Sequence, residues 1–96
     1  MIKSFGDKST EDVFHGRRSR QARKLPSETI TIAFRKLDML NAAHQLDDLR
    51  SPPGNRLEAL KGDLKDFHSI RINEQWRIVF RWDSNDAFDV QIVDYH

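Results

Sequence analysis

Residues 69–82 read SIRINEQWRIVFRW. Ile70 and Ile72, then Trp76, Ile78, Phe80 and Trp82, alternate with Ser69, Arg71, Arg77, Val79 and Arg81. A period of two belongs to a strand with one buried face. The polar break Asn73-Glu74-Gln75 folds the second run back on the first. A register that sets Ile72 against Trp76 and Ile70 against Ile78 matches apolar with apolar, and a slip of one residue would send that whole set into water.

The same reasoning extends in both directions. Downstream, a loop of Ser84, Asn85 and Asp86 pairs Trp82 with Phe88, Phe80 with Val90 and Ile78 with Ile92, and sets Arg81 opposite Asp89. The sequence thus predicts strands over 67–72, 76–82 and 87–94, with a further one over 56–60. Upstream, Ser51-Pro52-Pro53-Gly54 cannot continue a helix and closes a helical half. From Thr29 to Leu46, the residues Ile30, Ala33, Phe34, Leu37 and Leu40 recur at helical spacing, while Arg35, Lys36 and Asp38 face water. Pro26, Ser27 and Glu28 supply that helix's start. Asp7, Ser9 or Thr10 caps an earlier, shorter helix through Val13 and Phe14 that ends near Gly16. Residues 2–5 read as a short strand. The expectation is an α+β fold, two N-terminal helices packed on a small, mainly antiparallel sheet, with 1–96 as a single domain.

Ninety-six residues suffice for one modest core. With no cysteine, the fold relies on neither disulfides nor thiolate metal sites, which fits a reducing cytoplasm. No segment approaches the roughly 20 apolar residues that span a bilayer, so no membrane partner is expected. The net charge of +1 hides an uneven distribution. Arg17, Arg18, Arg20, Arg23 and Lys24 follow one another without an acid, whereas Asp83, Asp86, Asp89 and Asp94 gather downstream. The basic stretch reads as an exposed, partly helical connection, and a surface of this kind also suits ribosomal RNA through counterion release.

The register of the hairpins leaves Ser69, Arg71, Arg77, Val79, Arg81, Gln91 and Tyr95 on the second face of the sheet. One polar face is ordinary in a small antiparallel sheet. Arg71 directly across from Arg77 is less ordinary, because two like charges so placed repel unless an anion or a carboxylate lies between them. Tyr95 falls near Arg77, and His96 follows it. Cutting RNA without a metal requires a base for the attacking 2′-hydroxyl, a proton donor for the leaving oxygen and cations around the phosphate. Arginine, tyrosine, histidine and Lys61, from the Lys61-Gly62-Asp63 turn, are able to supply them. His15, His44 and His68 show no metal-ligand spacing, and no metal or other cofactor is expected. Trp76 and Trp82 alternate with Ile78 and Phe80, as core residues do.

The opening MIKSF, RLEALKGD at 56–63, SIRINEQWRIVFRW at 69–82 and the VDYH at 93–96 resemble the HigB-type toxins of the RelE superfamily. LKGD, NxxWRIxF and DYH in this order and spacing make the resemblance specific. It implies a RelE-like fold and an mRNA endonuclease that acts on translating ribosomes. It also implies a HigA-like helix-turn-helix antitoxin as partner in a hetero-oligomer. By position it implies a catalytic set of Lys61, Arg77, Asp94, Tyr95 and His96. The resemblance implies that Arg77 holds the scissile phosphate, that Tyr95 and His96 assist proton transfer or position the substrate, that Lys61 stabilises charge or, with a lowered pKa, acts as base, and that Asp94 orients its neighbours. Arg71, Glu58, Lys65 and Arg56 are the accompanying substrate-binding candidates. The sequence departs from the pattern at Glu58, where many members carry histidine. A carboxylate there is able to act as base and also repels RNA. Phe67 and His68 replace an aromatic pair, so base stacking falls to Phe67 or to neither. Three other readings remain open: a ParE-like gyrase inhibitor, a non-catalytic, decayed toxin that only binds its antitoxin, and a housekeeping RNA-binding domain with no toxicity.

Overall fold

The computed structural model describes residues 1–95. Its helices are α1 (Lys8–Phe14) and α2 (Ser27–Ala42), and its strands β1 (Glu58–Ala59), β2 (Phe67–Arg71), β3 (Trp76–Asp83) and β4 (Asp86–Asp94). The strands form one antiparallel sheet in the order β1-β2-β3-β4. The helices cover one face of it, so the expected α+β arrangement is what the chain adopts. Ala33, Leu37 and Leu40 of α2 and Val13 of α1 pack against Ile70, Ile78, Phe80, Val90 and Ile92.

The Asp7 carboxylate caps α1, accepting from the Thr10 amide at 2.8 Å. Thr10 Oγ1 in turn accepts from the Ile92 amide at 2.8 Å, which fastens α1 to β4. α2 starts where Pro26 and Ser27 predict. It ends at Ala42 rather than Leu46, because the Asp48 carboxylate captures the amides of His44 and Gln45 at 2.9 and 3.0 Å and opens a 3-10 turn over Leu46–Arg50. Those bonds, Gln45's first, hold the Asp48 carboxyl below the usual carboxylate range. Phe34 stays 44% exposed instead of joining the core, and Thr29 is buried on the helix in its stead. Lys36 is half-buried, not solvated, and donates to Asn55 Oδ1.

The basic connection contains the expected partial helix, a 3-10 turn over Ala22–Lys24. Its start is tied to buried Asp12, which accepts from Ser19 Oγ and, at 3.2 Å each, from Lys8 Nζ and Arg17 Nη1. The Ser19 hydroxyl, then the two cations, depress the Asp12 carboxyl pKa against the opposing effect of burial.

Residues 2–5 make two isolated parallel bridges, Ile2 to Ala87 and Phe5 to Val90, rather than a strand. The predicted strand over 56–60 shrinks to β1, because Arg56 takes a left-handed φ of 45° as it leaves the 3-10 turn Pro53–Asn55. β2 and β3 pair as predicted, with Ile70 opposite Ile78 and Arg71 opposite Arg77. β3 and β4 do so only in part. Ile78 faces Ile92, but Arg81 faces Phe88 and Trp82 faces Ala87, with a bulge in between. The turn has two residues, Ser84 and Asn85 at φ 51° and 66°, and Asp89 at φ 54° absorbs the extra position. In consequence Ala87 and Val90 are buried, and Phe88 crosses to the other face, where its ring centroid lies 4.7 Å from Arg81 Cζ.

Candidate active site

The second face of the sheet is not simply solvated. Ser69 is fully buried, and Arg77 is 6% exposed. Burying a guanidinium requires partners for its donors. Arg77 Nε donates to Ser69 Oγ at 2.8 Å, and Nη2 donates to the Arg56 carbonyl at 2.7 Å and the Ser69 carbonyl at 3.3 Å. The Glu58 carboxylate approaches Nη2 only to 3.9 Å and stays half in solvent. The Tyr95 ring lies over the guanidinium, 5.2 Å from centroid to Cζ. The positive charge is thus held mainly by neutral oxygens, with a single half-exposed carboxylate at the outer limit of an ion pair.

The same arrangement explains how Arg71 tolerates Arg77 as its cross-strand neighbour. Arg71 turns to the hairpin loop and donates its Nε to the Asn73 carbonyl at 3.1 Å. Asn73 is the organiser of that loop: its Oδ1 accepts from the amides of Gln75 and Trp76, each at 2.9 Å. Gln75 then fixes the far end of β4. Its carbonyl accepts from the Tyr95 amide at 2.7 Å, and its side-chain amide donates to Asp94 at 3.1 Å. The loop between β2 and β3 therefore sets the position of Tyr95 over Arg77.

Together these residues line a cleft of about 220 Å³, formed by Arg56, Glu58, Arg71, Arg77 and Tyr95 with Asn73 and Glu74. Lys61, Lys65 and Asp94, all exposed, are not part of its wall. Asp94 sits behind it, bonded to Gln75. Lys61 follows Leu60, whose amide pairs with Phe67, at the other end of the strands. At about 3.3 Å per residue the Phe67 level lies about 13 Å along β2 from Arg71. His96 lies outside the described residues. Asn73 and Glu74 escape sequence reasoning because strand alternation does not report which way loop side chains turn.

At that other end, His68 stacks on Phe80 at 6.2 Å between centroids, and burial pushes its imidazole pKa down. Its Nδ1 is buried without a partner. Among the described residues no group of three or more His, Cys, Asp or Glu is assembled as a metal site. No described helix is long and apolar enough to cross a membrane. The chemistry open to the cleft is that of a fixed cation, a carboxylate and a phenol around a bound anion.

Residues 3–96 match the family described as RelE-like toxin of type II toxin-antitoxin system HigB. Toxin HigB-1 of Vibrio cholerae serotype O1 is 44% identical over 82 residues, covering 85% of this chain and 84% of that protein. Endoribonuclease HigB of Proteus vulgaris is 28% identical over 96 residues and the full length of both. Among solved structures, the toxin fold recurs in the YoeB-YefM complex from Staphylococcus aureus, with a TM-score of 0.61 at 18% identity over 100% of this chain and 98% of that one. It recurs again in the YoeB/ParE toxin from Agrobacterium tumefaciens, with a TM-score of 0.56 at 17% identity over 99% and 100%.

Proposed function

The chain belongs to the HigB-like family of RelE-like toxins of type II toxin-antitoxin systems, and from that premise we propose that it is an endoribonuclease that cuts mRNA on translating ribosomes. The observation that carries this reading is the buried Arg77, held mainly by neutral oxygens, under the Tyr95 ring with Glu58 at its side. A relative of full-length coverage that bears the name endoribonuclease supports it.

In this reading a phosphate of the mRNA enters the cleft against Arg77, with Arg71 and Arg56 as further cations. Glu58 takes the proton of the attacking 2′-hydroxyl. The new bond from the 2′-oxygen to phosphorus expels the 5′-oxygen of the next nucleotide and leaves a 2′,3′-cyclic phosphate. Tyr95, with His96 beside it in sequence, protonates the departing oxygen. Asp94 orients the Tyr95 segment through Gln75, while Lys61 and Lys65 contact more distant phosphates. The partner is a HigA-like helix-turn-helix antitoxin in a hetero-oligomer, and the working place is the cytoplasm. The basic connection around Arg18, Arg20 and Arg23 meets ribosomal RNA.

The test is to map 5′ ends on mRNA under translation by ribosomes supplied with the purified chain. New ends are expected with the unaltered protein. They should fall by about 100-fold or more with Arg77→Ala or Glu58→Gln, in line with loss of a phosphate donor or a general base. Growth arrest without new ends would overturn the nuclease and favour a gyrase-directed toxin.

A further inference from the structure

The cleft around Arg77 does not stop at Arg71. Beyond that side chain, toward α2, lies a second cavity of about 530 Å³. Arg71 and Asn73 line both. Arg35 and Lys36 of α2 form its other polar wall, and Ile32, Met39, Pro52 and Ile72 its apolar floor. Its lining holds three cations and no carboxylate, whereas the first cleft includes Glu58 and Glu74.

We propose that this cavity seats the ribonucleotide adjoining the scissile phosphate, with the base on the apolar floor and the flanking phosphate between Arg71, Lys36 and Arg35. The inference rests on the nuclease reading of the first cleft and adds to it a second subsite. Size, charge and continuity all point to one occupant. A cavity of this volume accommodates a small ligand. Three cations without a counter-charge attract a polyanion. A strand that leaves the first cleft past Arg71 enters this one directly. The two walls are also braced together. Lys36 donates to Asn55, which is fully buried and anchored on the Leu49 and Ser51 carbonyls at 3.1 and 3.4 Å. The next residue, Arg56, offers its carbonyl to Arg77. Burial, and then the neighbouring Arg35, hold the Lys36 amine below the usual lysine range, and an arriving phosphate reverses that shift. An aliphatic floor grips any base by dispersion and reads none by hydrogen bonding, so the subsite is tolerant of sequence.

The experiment measures binding of uncleavable 2′-O-methyl RNA, two or six nucleotides long, to the full chain across a range of salt. The Arg35→Gln/Lys36→Gln double variant should bind the six-mer about tenfold more weakly and flatten its log-log salt slope by about 0.7, the value of one phosphate contact on a single strand. Its dinucleotide affinity should not change. Arg35 is exposed and makes no hydrogen bond among the described residues, so Arg35→Gln alone should give half the slope change without disturbing Asn55. Unchanged six-mer binding in both variants, with binding still lost in Arg77→Ala, overturns the second subsite and spares the first. Indifference of both oligomers to Arg77→Ala overturns the two together. If the double variant keeps its RNA affinity but no longer co-purifies with its co-expressed antitoxin, the cavity is a protein-docking groove and the proposal falls.

Discussion

The two hairpins share β3 yet solve different problems. Between β2 and β3 the ladder is regular and carries a like-charge pair, Arg71 opposite Arg77. Between β3 and β4 the like-charge pair is Asp83 opposite Asp86 beside the turn, where the terminal amine of Met1 lies 3.2 Å from Asp86, and the ladder breaks at a bulge that places Asp89 at φ 54°. The regular hairpin accommodates its electrostatic conflict by turning Arg71 to the Asn73 carbonyl while oxygens of Ser69 and Arg56 hold Arg77. The irregular one accepts backbone strain because a two-residue turn and the Ile78–Ile92 pairing differ by one residue, and only a bulge reconciles them. Conflict in a register therefore takes two forms here, charge alone in the β2–β3 ladder and backbone strain in the β3–β4 ladder, whose like-charge pair is met by the terminal amine.

The sharpest way to break both hairpins is through the strand they share. Phe80 is fully buried between them, and Phe80→Ala should cost about 3–5 kcal/mol of unfolding free energy, read by urea titration. Because the loss lies on the face away from the cleft, the variant's residual activity should track its folded fraction.

A smaller change separates strain from charge. Ser84 has φ 51° in the exposed turn, a conformation that penalises an L-residue, so Ser84→Gly should stabilise by about 1 kcal/mol. A loss of stability there would mean that the turn is not what sets the β3–β4 register.

The smallest expected effect probes the charge pair. Removing one of two like charges across a ladder should gain roughly 0.2–1 kcal/mol, so Arg71→Gln should melt slightly higher while binding RNA less tightly. If it melts lower, Arg71 is retained for its bond to the Asn73 carbonyl rather than for substrate.

How far the site was legible follows the same division. Alternation in 69–82 identified Ser69, Arg71 and Arg77 as one face, and their register holds in the structure. Alternation also placed Phe88 in the core, and the bulge moved it beside Arg81. Glu58 and Arg56, chosen from the motif, line the cleft, whereas Lys61 and Lys65, chosen the same way, do not. A motif conveys order along the chain, and β1 runs on through Leu60, paired with Phe67, so Lys61 leaves at the end of β2 opposite to Arg71. Lys36, read from the helical wheel as water-facing, is half-buried against Asn55, a contact between residues 19 apart that no local period encodes.

Periodicity and turn chemistry in this sequence determined the class of fold, the regular hairpin and the face that bears the arginines, because burial of apolar side chains enforces those choices residue by residue. Only the tertiary structure decided that Arg77 is buried yet left positive, that Tyr95 lies over it and that a second cationic cavity adjoins it. Those outcomes depend on where loop carbonyls and the end of β4 meet in space, and a carbonyl belongs to every residue alike, so its placement leaves no mark in the sequence.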